Sequence, residues 1–238
     1  MARPRTSNPL YDPRHGAPAI QIRAEESAAQ AFDPPRTNYF GIYFIESGAG
    51  EFSADSARHP LAAGSLLFFT PYQYVRFFLT KPLTFTAIQF HANFLCVETF
   101  HAESGCAGSL FSDAYQPPVV TLNKSALRDV SALLRRMQSE QETQGLAFEE
   151  MLLAQLKMLL ILATRLKLAT ATACDAVTGK QRHPVLAELK ELIEANFQTL
   201  HSPSGYASRL HMSAKTLGRV VREQLGKSLT DLIRDRIL

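Results

Sequence analysis

Between residues 39 and 93 the apolar side chains come in short aromatic and β-branched runs: YFGIYFIE, then SGAG and EFSA, then HPLAAG ahead of SLLFFTP, YVRFFL and LTFTAIQFH. Runs this short, cut by turn residues at this spacing, predict a small antiparallel barrel or sandwich. Residues 1–31 are rich in proline and hold no sustained period, which predicts a flexible or docked arm. Residues 94–118 show neither period and close the β-region, whose strands are expected to end near Asn93.

From residue 123 the period becomes helical. NKSALRDVSALLRRMQSEQET puts Leu127, Val130, Leu133 or Leu134, and Met137 on one face, with Asn123 or Ser125 as cap. A second helix over residues 148–168 is almost continuous in Leu and Met. Its apolar circumference exceeds one contact face, so pairing with a second copy is expected. TATACDAVTGKQRH, residues 170–183, is small, polar and without period and reads as a linker. Pro184 then suits the first turn of a helix through about residue 196, with Leu186, Leu189, Ile193 and Phe197 inward. The domain scheme is an arm (1–31), a β-domain (32–118), dimerisation helices (119–169), a linker (170–183) and a C-terminal helical domain (184–238). The fold class is α+β.

The segment SRLHMSAKTLGRVVREQLGKS (residues 208–228) can be tested position by position. Residues 205–210 form a short helix containing Ala207 and Leu210, and His211 and Met212 make the turn. Ser213 is placed to cap the next helix through its hydroxyl. That helix buries Leu217, Val220 or Val221, and Leu225, and Gly226 suits the left-handed residue beyond its end. Lys215, Arg219 and Arg222, at i, i+4 and i+7, share the outer face with Ala214 and Gly218. Two helices, a tight turn and a basic outer stripe fit a unit whose second helix enters a DNA major groove, with arginine available for guanine and lysine for a phosphate or a base. The candidate DNA-binding set is Ser213, Lys215, Thr216, Gly218, Arg219 and Arg222.

Charge points the same way. The 238 residues carry a formal net charge of +3, and residues 180–238 alone hold ten Lys/Arg against six Asp/Glu. The remainder is close to neutral, so a near-neutral part precedes a polyanion-binding part. Three cysteines argue against a secreted disulfide scaffold. Lys157, Arg165 and Lys167 interrupt the most apolar run, and each would cost roughly 2.5–3.5 kcal/mol at a bilayer centre. The expected location is the cytoplasm.

GYASRLHMSAKTLGRVVREQLGKSLTDLIRDRIL (residues 205–238) resembles the first helix-turn-helix of AraC/XylS-type transcription regulators. Ala207, Leu210, Met212, Ser213, Leu217, Arg219, Gly226 and Ser228 carry the resemblance. Residues 39–168, with PLAAGSLLFFTPYQ as turn grammar, resemble that family's cupin-like barrel and dimerisation helices. The resemblance implies a sequence-specific DNA-binding regulator, homodimeric, responding to a small-molecule effector, with double-stranded DNA and RNA polymerase as partners. In that family two helix-turn-helix units are bridged by a long helix, and residues 228–238 look like the start of that bridge, so a partial DNA-binding domain is expected. Gly218 departs from the family by removing a recognition-helix side chain.

Candidate chemistry elsewhere is thinner. Both cupin metal motifs are unfilled: no His-x-His occurs, and Val75 stands where a second-motif histidine would be. No Gly-x-Ser-x-Gly elbow or phosphate-binding glycine loop is present, so no enzyme and no cofactor are expected. Tyr43, Phe69, Tyr74, Arg76 and Phe77 are candidate ligand-pocket residues, Arg76 hinting at an anionic or polar ligand. His91, Cys96, His101 and Cys106 recur every five residues, a spacing that only an irregular loop could gather round a metal. The competing reading is a cupin-like small-molecule or metal-binding protein whose C-terminal helices serve packing or a protein partner.

Overall fold

The computed structural model describes residues 10–55, 57–106, 108–111, 116–177, 184–225 and 227–237. The chain divides into two compact units, one built mainly of residues up to Lys167 and the other mainly of Leu168–Leu238.

The first unit is an antiparallel sheet with helices. Its strands are β1 (Ile20–Ser27), β2 (Ala31–Phe32), β3 (Phe40–Ala54), β4 (Ala57–Ala62), β5 (Ser65–Phe69), β6 (Val75–Phe90) and β7 (Val119–Thr121). The hydrogen-bonded path runs β1-β6-β3-β5-β7, with β2 on β6 and β4 on β3. The near-continuous apolar run of β3 is explained by burial on both faces. Phe40, Ile42 and Phe44 join Ile22, Phe68 and Ile88 in a core shared with the helices. Tyr43 and Ile45 face an aromatic interior with Phe52, Phe69, Phe77 and Phe85. Register shifts between Ile45 and Gly50 bend the long β3–β6 pair, bringing Phe52 and Phe77 onto that interior. Gly50 is required there: its φ is 155°, and a Cβ would collide with the Phe78 carbonyl. The α+β class with an antiparallel β-domain is therefore the one observed.

Three boundaries differ from expectation. Residues 20–27, taken as part of an arm, form a full strand paired with β6 from Ile20↔Phe90 to Ser27↔Leu83. Only Ile20 and Ile22 are well buried, while Arg23, Glu25 and Glu26 stand exposed along a sheet edge, so the hydrophobic signal is too short to read as a strand. β7 lies well past residue 93, and α1 (Val97–Ser104) and α2 (Gly108–Phe111) occupy the region that showed no period.

Helix α3 (Lys124–Thr143) is capped by Asn123, whose carbonyl oxygen accepts from the Ser125 and Ala126 amides, and it buries Val130, Leu133, Leu134 and Met137. Helix α4 (Phe148–Val177) buries Leu152, Leu156, Leu159, Leu160 and Ala163. It continues through residues 170–177, which corrects the linker reading for that stretch. An existing helix propagates cheaply through ATATA, since alanine carries the best helix propensity. The rest of that linker, residues 178–183, lies outside the described residues.

The second unit packs α5 (Val185–Asn196), α6 (Pro203–Arg209), α7 (Ala214–Leu225) and α8 (Leu229–Ile237) around Leu189, Ile193, Tyr206, Leu217, Val221 and Leu232. The Tyr206 hydroxyl donates to the Leu200 carbonyl at 2.7 Å. Arg236 holds α8 to α5: its Nε lies 2.8 and 2.9 Å from the two Glu194 carboxylate oxygens, and its guanidinium sits 4.0 Å above the Phe197 ring centre.

Candidate functional site

Helix α7 is built to present a charged face. Its N-terminus is closed by Ser213, whose Oγ accepts from the Thr216 amide at 3.1 Å and lies 2.8 Å from the Thr216 hydroxyl. Leu217, Val220 and Val221 are buried against the other helices, which turns Lys215, Arg219 and Arg222 outward. All three are exposed, and none forms an ion pair among the described residues. Arg234 and Arg236 in the same unit are each paired to a carboxylate. The outer face of α7 thus carries three uncompensated cations within two turns, the electrostatic requirement for phosphates and guanine edges.

The turn before α7 is tight. The His211 amide donates to the Ser208 carbonyl and the Met212 amide to the Ala207 carbonyl. His211 adopts φ 54°, a left-handed conformation that glycine takes more readily. Sequence placed His211 in the turn but gave no sign of this strain. Helix α6 begins at Pro203, two residues earlier than expected, with Ser202 accepting from the Gly205 amide. Gly226, expected to end α7, lies outside the described residues.

The β-domain holds a pocket of about 30 Å³ whose wall includes Pro34, Gly41, Tyr43, Phe69, Tyr72 and Gln89. Of the five expected lining residues only Tyr43 and Phe69 are there. Arg76 falls on the other side of β6 because side chains alternate along a strand, and Tyr74 precedes that strand. The Tyr74 hydroxyl donates to Asp33 Oδ2 at 3.2 Å, and Arg76 Nε lies 3.2 Å from Asp33 Oδ1. Phe77 faces the interior but is wholly buried core. Burial, reinforced by the charge on Glu25, holds the Tyr43 hydroxyl pKa well above the usual tyrosine range.

The His/Cys set is not assembled. His91 stacks on Tyr11 with ring centres 4.3 Å apart, and its Nδ1 accepts from the Asn93 amide. Burial lowers its pKa. Cys96 contacts Glu98 and Thr99 within its own helical turn, and His101 Nδ1 lies 3.0 Å from the Cys106 carbonyl. Among the described residues no three His, Cys, Asp or Glu side chains converge as a metal site. Helix α1, unforeseen in the sequence, carries only His101 of the four, with Cys96 at its N-cap and Cys106 beyond its C-cap Gly105.

The chain thus joins an antiparallel domain with a pocket to a helical unit that bears a basic helix. The AraC-like ligand binding domain profile matches residues 18–156, more than half of the chain, and the chain belongs to that family. No curated protein matches it in sequence. Among solved structures it is similar to the AraC-like transcriptional activator CuxR, at 13% identity and TM-score 0.45 over 92% of this chain and 76% of that one. It is also similar to ToxT from Vibrio cholerae O395 bound to (E)-4-(8-methylnaphthalen-1-yl)but-3-enoic acid, at 9% identity and TM-score 0.41, over 92% of this chain and 100% of that one. A cupin protein from Bacteroides fragilis matches 32% of this chain and 70% of its own, at 24% identity and TM-score 0.29. Likenesses this distant carry no function across.

Proposed function

We propose that the chain is a cytoplasmic, non-enzymatic transcription regulator that reads double-stranded DNA through α7 as a homodimer, under control of a small molecule bound by its β-domain. The observation that carries the reading is the outer face of α7, where Lys215, Arg219 and Arg222 stand exposed and unpaired among the described residues over a fully apolar inner face. Ser213 and Thr216 add hydroxyls at its N-terminus, an end suited to an anion, and nothing lies within 4 Å of a Cβ added at Gly218.

A second copy is the occupant proposed for the outer face of α4. Met151 and Met158, seven residues apart, are 49% and 45% exposed opposite the buried Leu152–Leu156–Leu159 side. Two copies joined there carry two α7 helices, as recognition of paired half-sites requires. RNA polymerase is the further partner that family membership suggests. No described helix is long and apolar enough to cross a membrane.

The test is selection of tight-binding duplexes from a randomised DNA pool, followed by affinity measurements on Arg219→Ala and Arg222→Ala at a fixed salt concentration. Each loss of a base-contacting arginine should weaken binding to the selected duplex by about 1–3 kcal/mol and relax preference at one position. Unchanged affinity and unchanged base preference in both variants would remove α7 as the reading helix.

A further inference from the structure

The pocket in the β-domain is framed by one row of residues across the sheet. Gly41 on β3 lies directly opposite Gln89 on β6 and Phe69 on β5, and Tyr43 follows two residues along the same face. The φ of Gly41 is not in the left-handed region, so its backbone does not call for glycine. A glycine inside a strand weakens it and marks a place where something approaches the backbone closely. A Cβ added at Gly41 would reach within 3.3 Å of Tyr43 Cε1 and 3.6 Å of Phe69 Cβ, filling the space between those rings. Glycine is what keeps this pocket open.

The second observation is chemical. Tyr43 is 7% exposed and lines the pocket, yet its hydroxyl has no hydrogen-bond partner among the described residues. A hydroxyl with no protein partner beside a pocket is free to bond a molecule that enters it. Burial also keeps this group protonated, hence a donor. Beside it, Gln89 accepts from Gln21 through Oε1 at 2.8 Å, which leaves its amide N–H groups to donate. Pro34, Pro35 and Tyr72 line the same pocket, together with Thr37, Thr70 and Gln73. Among the described residues no Asp, Glu, Lys or Arg lines the wall. Asp33 and Arg76 pair with each other instead of turning in.

We infer that this pocket is the effector site and that it takes a small, uncharged, planar molecule whose carbonyl or hydroxyl oxygen accepts from Tyr43 and Gln89. A volume of about 30 Å³ holds a head group of one or two water-sized atoms, with the ring set against Pro34, Pro35 and Tyr72 of the lining. A carboxylate or ammonium head would be desolvated with no opposite charge to meet it. The inference rests on the effector-binding reading of the β-domain and, of the anionic or polar ligand that Arg76 suggested, keeps only the polar one.

The test uses the full chain with benzamide, benzoate and benzylamine, three probes of one shape and different charge, followed by ligand-observed NMR and calorimetric titration at millimolar concentration. Benzamide should bind and the two charged probes should not. Gly41→Val should abolish binding. Tyr43→Phe, which preserves volume, should weaken it about tenfold while leaving the unliganded protein no less stable. Preference for benzoate or benzylamine, lost in Gly41→Val, would overturn the ligand class and leave the effector reading standing. Benzamide binding indifferent to both substitutions, or no binding of any probe, would overturn the pocket assignment. The effector reading fails separately, if a low-molecular-mass cell extract leaves the affinity for the selected DNA unchanged.

Discussion

His211 and Gly218 invert the usual residue choices of the reading unit. His211 sits at φ 54°, where an L side chain meets its own backbone, while Gly218 sits in a helix where nothing lies within 4 Å of an added Cβ. Exchanging the preferences should stabilise the unit twice. His211→Gly relieves a left-handed non-glycine residue, a gain offset by extra freedom in the unfolded chain, and should net about 0.5–1 kcal/mol. Gly218→Ala should add about 1 kcal/mol from helix propensity alone. Urea unfolding followed by far-UV circular dichroism checks both, and a midpoint that falls in either variant would contradict the local geometry. Because Gly218→Ala leaves the fold no worse, any loss of DNA affinity in it reports how closely the α7 backbone approaches the groove.

At the scale of elements, the least legible feature is the attachment of β1. Gln141 on α3 acts as a short stand-in for a neighbouring strand: its Oε1 accepts from the Ile22 amide at 2.7 Å and its Nε2 donates to the Ile22 carbonyl at 3.0 Å. This pairing spans 119 residues of sequence, and no local pattern contains it. Gln141→Leu leaves two polar groups of a 4%-exposed residue unsatisfied and should cost about 1–3 kcal/mol. Faster hydrogen exchange at the Ile22 amide would accompany the loss; unaltered exchange would show that the sheet alone holds β1. Elements with long internal period were readable in advance, as in α3, where cap and buried face fall as expected. Elements fixed by partners were not: β1 carries an edge's charges, β7 has three residues, and residues 170–177 continue a helix already formed. The pocket was half readable. Tyr43 and Phe69 follow from the aromatic runs, whereas choosing between Arg76 and Gln89 requires knowing which face of β6 turns inward. The glycine in YFGIYF was the available signal, since a strand interior seldom keeps one without a reason.

For the molecule as a whole, dimerisation and DNA reading are expected to be coupled by effective concentration. One α7 helix offers three free cations and few base contacts, so a single half-site should be held weakly and with strong dependence on salt. Two such helices on one dimer make the second contact intramolecular, which raises affinity for a duplex with two correctly spaced half-sites by roughly 10²–10⁴ without new chemistry. Met158 lies on the exposed side of α4, far in sequence from the reading unit, and a carboxylate there would be buried unpaired in the proposed interface. Met158→Glu should therefore give a monomeric mass by light scattering at micromolar concentration. It should lose the two-half-site enhancement while binding an isolated half-site as the parent does. The salt dependence separates the terms: the slope of log affinity against log salt should fall by about half for the two-site duplex and stay fixed for the single site, because half of the phosphate contacts disappear together. A monomeric variant that retains full two-site affinity would show that α7 reads DNA without a partner. A dimeric variant would place the interface away from this face of α4.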